Sequence, residues 1–181
     1  MKIVLINGKA YSGKDFLADL LKTELETHGK TVKIMSFADP LKEIIAETFL
    51  ITQDELDEYK NLPGLYPVTF DKSITDFREI LQRFGREGMM SVFGESVWVD
   101  LLRERAVKSK ADFILVPSFR FPFEDISKFT IHIKNDELES IDSHASENSL
   151  GDFDFLWTID NTGHKDLTRP VTLITNSLLG D

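Results

Sequence analysis

The residues best suited to chemistry lie close to the N-terminus, in the run Gly8-Lys9-Ala10-Tyr11-Ser12-Gly13-Lys14. Two glycines five positions apart, with a lysine after the second, suit a loop that wraps an anion. Glycine lets the backbone approach a phosphate, successive backbone N–H groups and a following helix N-terminus favour negative charge, and the lysine neutralises the terminal phosphates. The alternative is a glycine-rich turn without a ligand. A hydroxyl side chain usually follows the lysine of such loops and ligates Mg²⁺. Here Asp15 takes that place. Its carboxylate either ligates the metal, directly or through water, or only complements the helix dipole.

Four further groups carry charge, an amide or an aromatic face. On a helix from Thr75, at about 100° per residue, Phe77, Ile80, Leu81 and Phe84 form one apolar stripe. Arg78 and Gln82 then share its shoulder with Gly85, one turn apart. An arginine fork suits a phosphate, and a glutamine amide can read a base edge; the alternative is a surface ion pair beside a solvated amide. Arg120 follows an apolar strand, where open α/β sheets place ligand-binding residues. It either holds a phosphate or packs over Phe119 and Phe121. Asp39 also follows a strand and is either a helix cap or a cleft residue. Trp98 lies on an apolar stripe and serves either the core or base stacking.

The elements that position these groups alternate between strand and helix, which implies an α/β fold with a parallel sheet. Strands are expected at Lys2–Asn7, Thr31–Phe37, Phe113–Val116, Thr130–Lys134 and Leu156–Ile159. Helices are expected over Asp15–His28, stopped by Gly29, and from Asp39-Pro40 as cap and first residue. Further helices follow a capping box at Ser73–Asp76, run from Val97 to Ala106, and lie within residues 165–179. Residues 50–74 are polar, hold Pro63, Gly64 and Pro67, and read as an excursion.

Composition narrows the function classes. The chain has 181 residues, the size of one domain, and no Cys, which excludes disulfides, thiolate metal sites and cysteine nucleophiles. The net charge of −10 opposes binding to a nucleic-acid backbone or an anionic membrane surface. No apolar run approaches the length of a membrane span. A cytoplasmic location is the simplest expectation. Between Asn135 and His164 there is no Lys or Arg but a series of carboxylates, which reads as a solvated loop.

Taken together, Gly8-Lys9 with Ser12-Gly13-Lys14-Asp15, Phe37-Ala38-Asp39-Pro40-Leu41-Lys42, Arg78-Glu79-Ile80-Leu81-Gln82-Arg83-Phe84-Gly85 and Arg120-Phe121-Pro122 with Glu124 resemble the deoxynucleoside monophosphate kinases of tailed phages. Asp142, His144, Ser146 and Glu147 look like that family's late acidic loop, and Asp154–Asn161 with Gly163 like its closing strand and turn. The resemblance covers most of the chain apart from residues 50–74.

It implies a three-layer α/β/α fold of the P-loop, nucleoside monophosphate kinase-like type, with a five-stranded parallel sheet in one domain over residues 1–181. That domain would include an acceptor-binding helical region at about 39–110 and a lid-like acidic loop at about 135–152. The implied reaction moves the γ-phosphoryl of ATP, with Mg²⁺, to a deoxynucleoside 5′-monophosphate. Gly8 through Asp15 would bind ATP, with Lys14, Arg78 and Arg120 as catalytic cations and Asp15 at the metal. Asp39, Lys42, Arg78, Gln82, Trp98 and Glu124 would bind the acceptor. The resemblance also implies a homodimer.

Two departures stand out. Ser118 occupies the place where the family tends to have an Asp, two residues before the Arg of R-F-P. The acidic loop carries no Arg, so Lys9, Lys14, Arg78 and Arg120, with Lys42, would supply the cations. A phosphomevalonate kinase-like enzyme and a non-catalytic nucleotide-binding module are the alternatives. A switch-type GTPase fits less well, since there is no N-K-x-D motif.

Overall fold

A computed structural model describes residues 1–60, 62, 76–138 and 149–180. The chain divides into two compact units. The first comprises Met1–Phe37 and Leu102–Asp181, the second Ala38–Leu101.

The first unit is built on a five-stranded, all-parallel sheet with helices on both sides. Its strands are β1 (Lys2–Asn7), β2 (Val32–Ile34), β3 (Phe113–Val116), β4 (Phe129–Lys134) and β5 (Trp157–Asp160), in the spatial order β2-β3-β1-β4-β5. Parallel pairing fits the apolar runs: Val4, Leu5 and Ile6 are all fully buried, as are Ile114, Leu115 and Val116. Alternation then sorts the faces. Val4, Ile6, Leu115, Ile131, Ile133 and Ile159 share one core with α1 (Lys14–Thr27), through Leu17, Leu21 and Leu25, and with the C-terminal helix (Thr168–Gly180), through Val171, Ile174 and Leu178. The opposite face carries Leu5, Asn7, Val116, His132 and Thr158.

Strand order also locates the crevice. After β1 the chain moves toward the β2 edge; after β3 it moves toward the β5 edge. Right-handed crossovers in opposite directions lie on opposite faces. The adjacent carboxyl ends of β1 and β3 are therefore the switch point, where open parallel sheets bind ligands. Gly8 and Arg120 lie in the loops that leave those two ends.

The second unit contains α2 (Asp39–Phe49), α3 (Gln53–Tyr59) and α4 (Phe77–Arg83). The chain then continues through a π-helical stretch (Phe84–Met90) and one turn (Ser91–Phe93) to α5 (Val97–Ser109). With α5 so numbered, the C-terminal helix is α6. Phe77 anchors this unit: its ring meets Phe49 edge-on at 5.4 Å and stacks on Tyr59 at 5.7 Å.

The β1 and β3 boundaries agree with the sequence expectation, β4 starts one residue earlier, and β5 lies one residue later. Four expectations need correction. Strand β2 ends at Ile34 rather than Phe37. It is an edge strand, and beyond Ile34 the chain stays attached through bonds such as Met35 N–H to Leu115 O at 3.0 Å and Phe37 N–H to Ser118 Oγ at 3.1 Å. The cap of α2 is Ala38, with Asp39 as the first helical residue. The cap of α4 is Asp76, whose carboxylate accepts the Glu79 N–H at 2.7 Å, and the helix starts at Phe77 rather than Thr75. The π-helical stretch was not anticipated; such segments are rare and shift the phase of every later residue. The expected excursion at 50–74 contains α3, closed by a capping box between Thr52 and Glu55; residues 61 and 63–75 lie outside the described set. Among the described residues no helix is long and apolar enough to cross a membrane.

Leu21 is fully buried between α1 and the sheet. Leu21→Ala should lower the unfolding free energy by about 3 kcal/mol, measured by urea denaturation, because the methyl groups removed leave a cavity that the stiff sheet cannot fill.

Candidate functional site

The loop between β1 and α1 has two positions that only glycine fills. At Gly8 a Cβ would stand 2.7 Å from the Ile133 carbonyl oxygen and 2.4 Å from Ser12 Oγ. At Gly13 φ is +97°, and a Cβ would stand 2.7 Å from Asn161 Nδ2. Tyr11, at the loop's outer end, also has a positive φ of 63° and is exposed. This loop is wound tightly against strands β4 and β5, which Gly8 and Gly13 make possible.

Bonds inside the loop hold that winding. Ser12 N–H and Lys14 Nζ both donate to the Lys9 carbonyl at 3.2 Å. Asn161, buried just beyond β5, donates from Nδ2 to the Ser12 carbonyl at 2.9 Å, while its own N–H donates to Lys134 O at 2.8 Å. Asn161 thus braces the loop from the far edge of the sheet. Sequence reading placed it in a closing strand and turn without a role; a polar residue directly after a strand end was the available signal.

Two features suit this loop to an anion. No side chain caps the N-terminus of α1, whose N-cap is Gly13. Ser12 Oγ is fully buried and has no hydrogen-bond partner among the described residues, and a buried hydroxyl left unpaired is costly. Lys14 is half-buried, and Lys9 and Asp15 are exposed. Asp15 lies in the first turn of α1, where a carboxylate also complements the helix dipole. No cluster of three or more metal-ligating side chains exists among the described residues. One carboxylate beside a loop suited to an anion still fits Mg²⁺, which typically takes one or two carboxylates together with substrate phosphates and water.

The loop after β3 crosses the end of β1. Phe119 N–H donates to Ile6 O at 3.3 Å, and Asn7 Nδ2 donates to Phe119 O at 2.8 Å. Arg120 is the next residue and is exposed, while Phe119 is buried. The Glu124 carboxylate turns back on this loop and accepts the backbone N–H groups of Arg120 at 2.6 Å and Phe121 at 3.0 Å. Glu124 is buried, and its carboxylate fixes the backbone that carries Arg120. Ser118 accepts the Phe37 N–H through Oγ and ties the segment after β2 to the end of β3.

The remaining expected residues belong to the second unit. Arg78 and Gln82 are both exposed, one turn apart on α4, while Phe77, Ile80 and Leu81 are buried. This is the shoulder arrangement expected from the spacing. Gly85 does not share it: it is buried in the π-helical stretch, with the Leu41 Cδ2 methyl 3.0 Å from where its Cβ would be. Trp98 is 8% exposed, and its ring lies 4.0 Å from the same point. Asp39 is half-buried at the start of α2. Lys42 is paired with Asp57, at 2.9 and 3.0 Å, and Asp57 also takes Lys60 at 2.8 Å. Burial pushes the Asp57 carboxyl up, but the two lysines outweigh it and hold it below the usual range. Residues 139–148 of the acidic loop, including Asp142, His144, Ser146 and Glu147, lie outside the described set.

No protein-family model matches the chain. No curated protein matches it in sequence either. The site therefore has to be interpreted from its own geometry.

Burial pushes Glu124 up to about 7, against the opposing effects of the Arg120 and Phe121 N–H groups and the Arg120 charge. A carboxyl raised on folding binds a proton more tightly in the folded chain, so its contribution to stability falls as pH rises from about 4.5 to about 7. Relative to Glu124→Gln, which keeps the oxygen acceptor and does not titrate, the wild type should lose about 3 kcal/mol of unfolding free energy across that window. Urea denaturation of both proteins at pH values spanning the window measures the difference.

Proposed function

We propose that the chain is a P-loop phosphotransferase that moves the γ-phosphoryl of ATP to a deoxynucleoside 5′-monophosphate, giving ADP and the diphosphate. The finer fold assignment, a three-layer nucleoside monophosphate kinase-like domain, is part of the same proposal. The observation that carries it is the Gly8–Lys14 loop at the switch point of a parallel sheet. An uncapped helix start, an unpaired buried Ser12 hydroxyl and the Lys14 ammonium all belong to this loop and support the reading.

In this reading the loop backbone and α1 receive the β- and γ-phosphates, and Lys14 leaves the Lys9 carbonyl to neutralise them. Arg120, held at the end of β3 by Glu124, balances charge on the transferring group. Arg78 grips the acceptor phosphate, and Gln82 reads its base edge. Asp39 and Trp98 complete the acceptor side, and Lys42 would have to exchange Asp57 for the nucleotide. Asp15 would help hold Mg²⁺, which when bound would add to the charge neutralisation that phosphoryl transfer needs. Phosphoryl transfer depends mainly on positioning and charge balance, so it requires no dedicated protein nucleophile.

ADP release from Mg·ATP, measured with each deoxynucleoside monophosphate, each ribose form and phosphomevalonate, tests the proposal directly. Turnover with at least one deoxynucleotide is expected. Turnover with phosphomevalonate alone would keep the loop and discard the acceptor assignment. ATP binding without turnover on any acceptor would mark a non-catalytic nucleotide-binding module.

Two substitutions separate the parts. Lys14→Ala should lower kcat by about a hundredfold or more, since charge stabilisation at the transferring phosphate is lost. Arg78→Ala should raise KM for the monophosphate by about tenfold or more and leave ATP affinity nearly unchanged. Equal damage to both substrates would place Arg78 elsewhere.

A further inference from the structure

A second feature of the first unit lies on the sheet face opposite α1 and α6. Asn7, His132 and Thr158 are register partners on β1, β4 and β5, so their side chains form one row. They line a cavity of about 270 Å³ together with Phe153 and Phe155. The proposed phosphotransfer uses none of the five.

The hydrogen bonds fix the chemistry of this row. Asn7 Nδ2 donates to Phe119 O at 2.8 Å, which leaves Asn7 Oδ1 as an acceptor. His132 Nδ1 lies 2.8 Å from that oxygen and must donate to it. Burial, with the nearby Lys134 charge, holds the imidazole below its usual range and so neutral at pH 7. In the neutral ring, protonation of Nδ1 leaves Nε2 with a lone pair. Among the described residues neither Nε2 nor the Thr158 hydroxyl has a hydrogen-bond partner. An acceptor and a hydroxyl thus stand on adjacent strands, about 5 Å apart at the backbone.

Aromatic rings supply the apolar surface. Phe155 stacks on His132 at 5.0 Å, Phe153 lies 4.7 Å from Phe155, and both rings meet Phe119 edge-on. Flat, weakly polar walls around one acceptor and one hydroxyl suit a planar ring bearing an N–H beside a carbonyl. The volume suits a single ring system rather than a whole nucleotide, being at the small end of ligand pockets.

We propose that this cavity is a binding site for a neutral planar heterocycle with a lactam edge, of the pyrimidine or oxopurine base type. The ring N–H donates to His132 Nε2, and the Thr158 hydroxyl donates to the neighbouring carbonyl. None of the five lies within Gly8–Lys14, and the proposal does not rest on the phosphotransfer reading.

Calorimetric titration of the full chain with uracil and with hypoxanthine, neither carrying a phosphate, tests it. Saturable binding of at least one is expected, with movement of the His132 Nε2 resonance in nitrogen-15 spectra. His132→Phe keeps a stacking ring and removes the acceptor; it should weaken binding by about tenfold, as should Thr158→Val, each losing one hydrogen bond. N,N′-dimethyluracil, which lacks both ring N–H groups, makes the same comparison on the unaltered protein and should bind about tenfold more weakly than uracil. No saturable binding of either base would overturn the proposal. So would equal affinity for the dimethylated ring, or binding that leaves the His132 resonance unmoved.

Discussion

The close approach of Gly8 to the Ile133 carbonyl is the constraint on which the candidate site depends. With no side chain at Gly8, the chain leaving β1 turns immediately beside β4 rather than being pushed outward. That turn buries Ser12, brings the Lys9 carbonyl under both Ser12 N–H and Lys14 Nζ, and lets α1 start within seven residues of the end of β1. Asn161 then locks the arrangement from β5. Atoms from β4 and from the residue just beyond β5 thus define one small loop, so its shape is a property of the sheet and not of its own sequence alone.

The sheet supplies stiffness and the loops supply chemistry. One face is closed by α1 and α6 over aliphatic and aromatic side chains. The other face is mixed, and two of its polar residues are linked in series: Phe119 O to Asn7, Asn7 to His132. Buried polar groups persist when each finds a partner. The Arg120 backbone is held in the same manner by Glu124, whose carboxyl titrates far above an ordinary glutamate because burial outweighs its two N–H donors.

Much of the first unit was legible in the sequence. Short apolar runs with turn residues at both ends marked β1 and β3, which are buried on both faces, while the edge strand β2, exposed at Lys33 and Ile34, was read too long. The loop motif announced itself through glycine spacing. The partners that shape it did not: Asn161 is 148 positions from Gly13, and nothing local says they meet. Arg78 and Gln82 fell where helical phase put them, since α4 is regular through Arg83. Gly85 did not, because the π-helical stretch begins at Phe84 and periodicity assumes a constant pitch. Glu124 and Lys42 show a different limit. Sequence shows that a charge exists, whereas its engagement with a backbone turn or with Asp57 depends on the fold.

The strand order has a bearing on how the chain is made. Strand β3 lies between β1 and β2, and neither of those touches the other. Both are synthesised early, yet each finds its first partner only when Phe113–Val116 emerges, after the whole of Ala38–Leu101. Until then a nascent chain can build helices but no part of this sheet. Assembly is therefore delayed and then abrupt: a single four-residue strand closes two long loops at once, and the entropy of that closure falls on one late event.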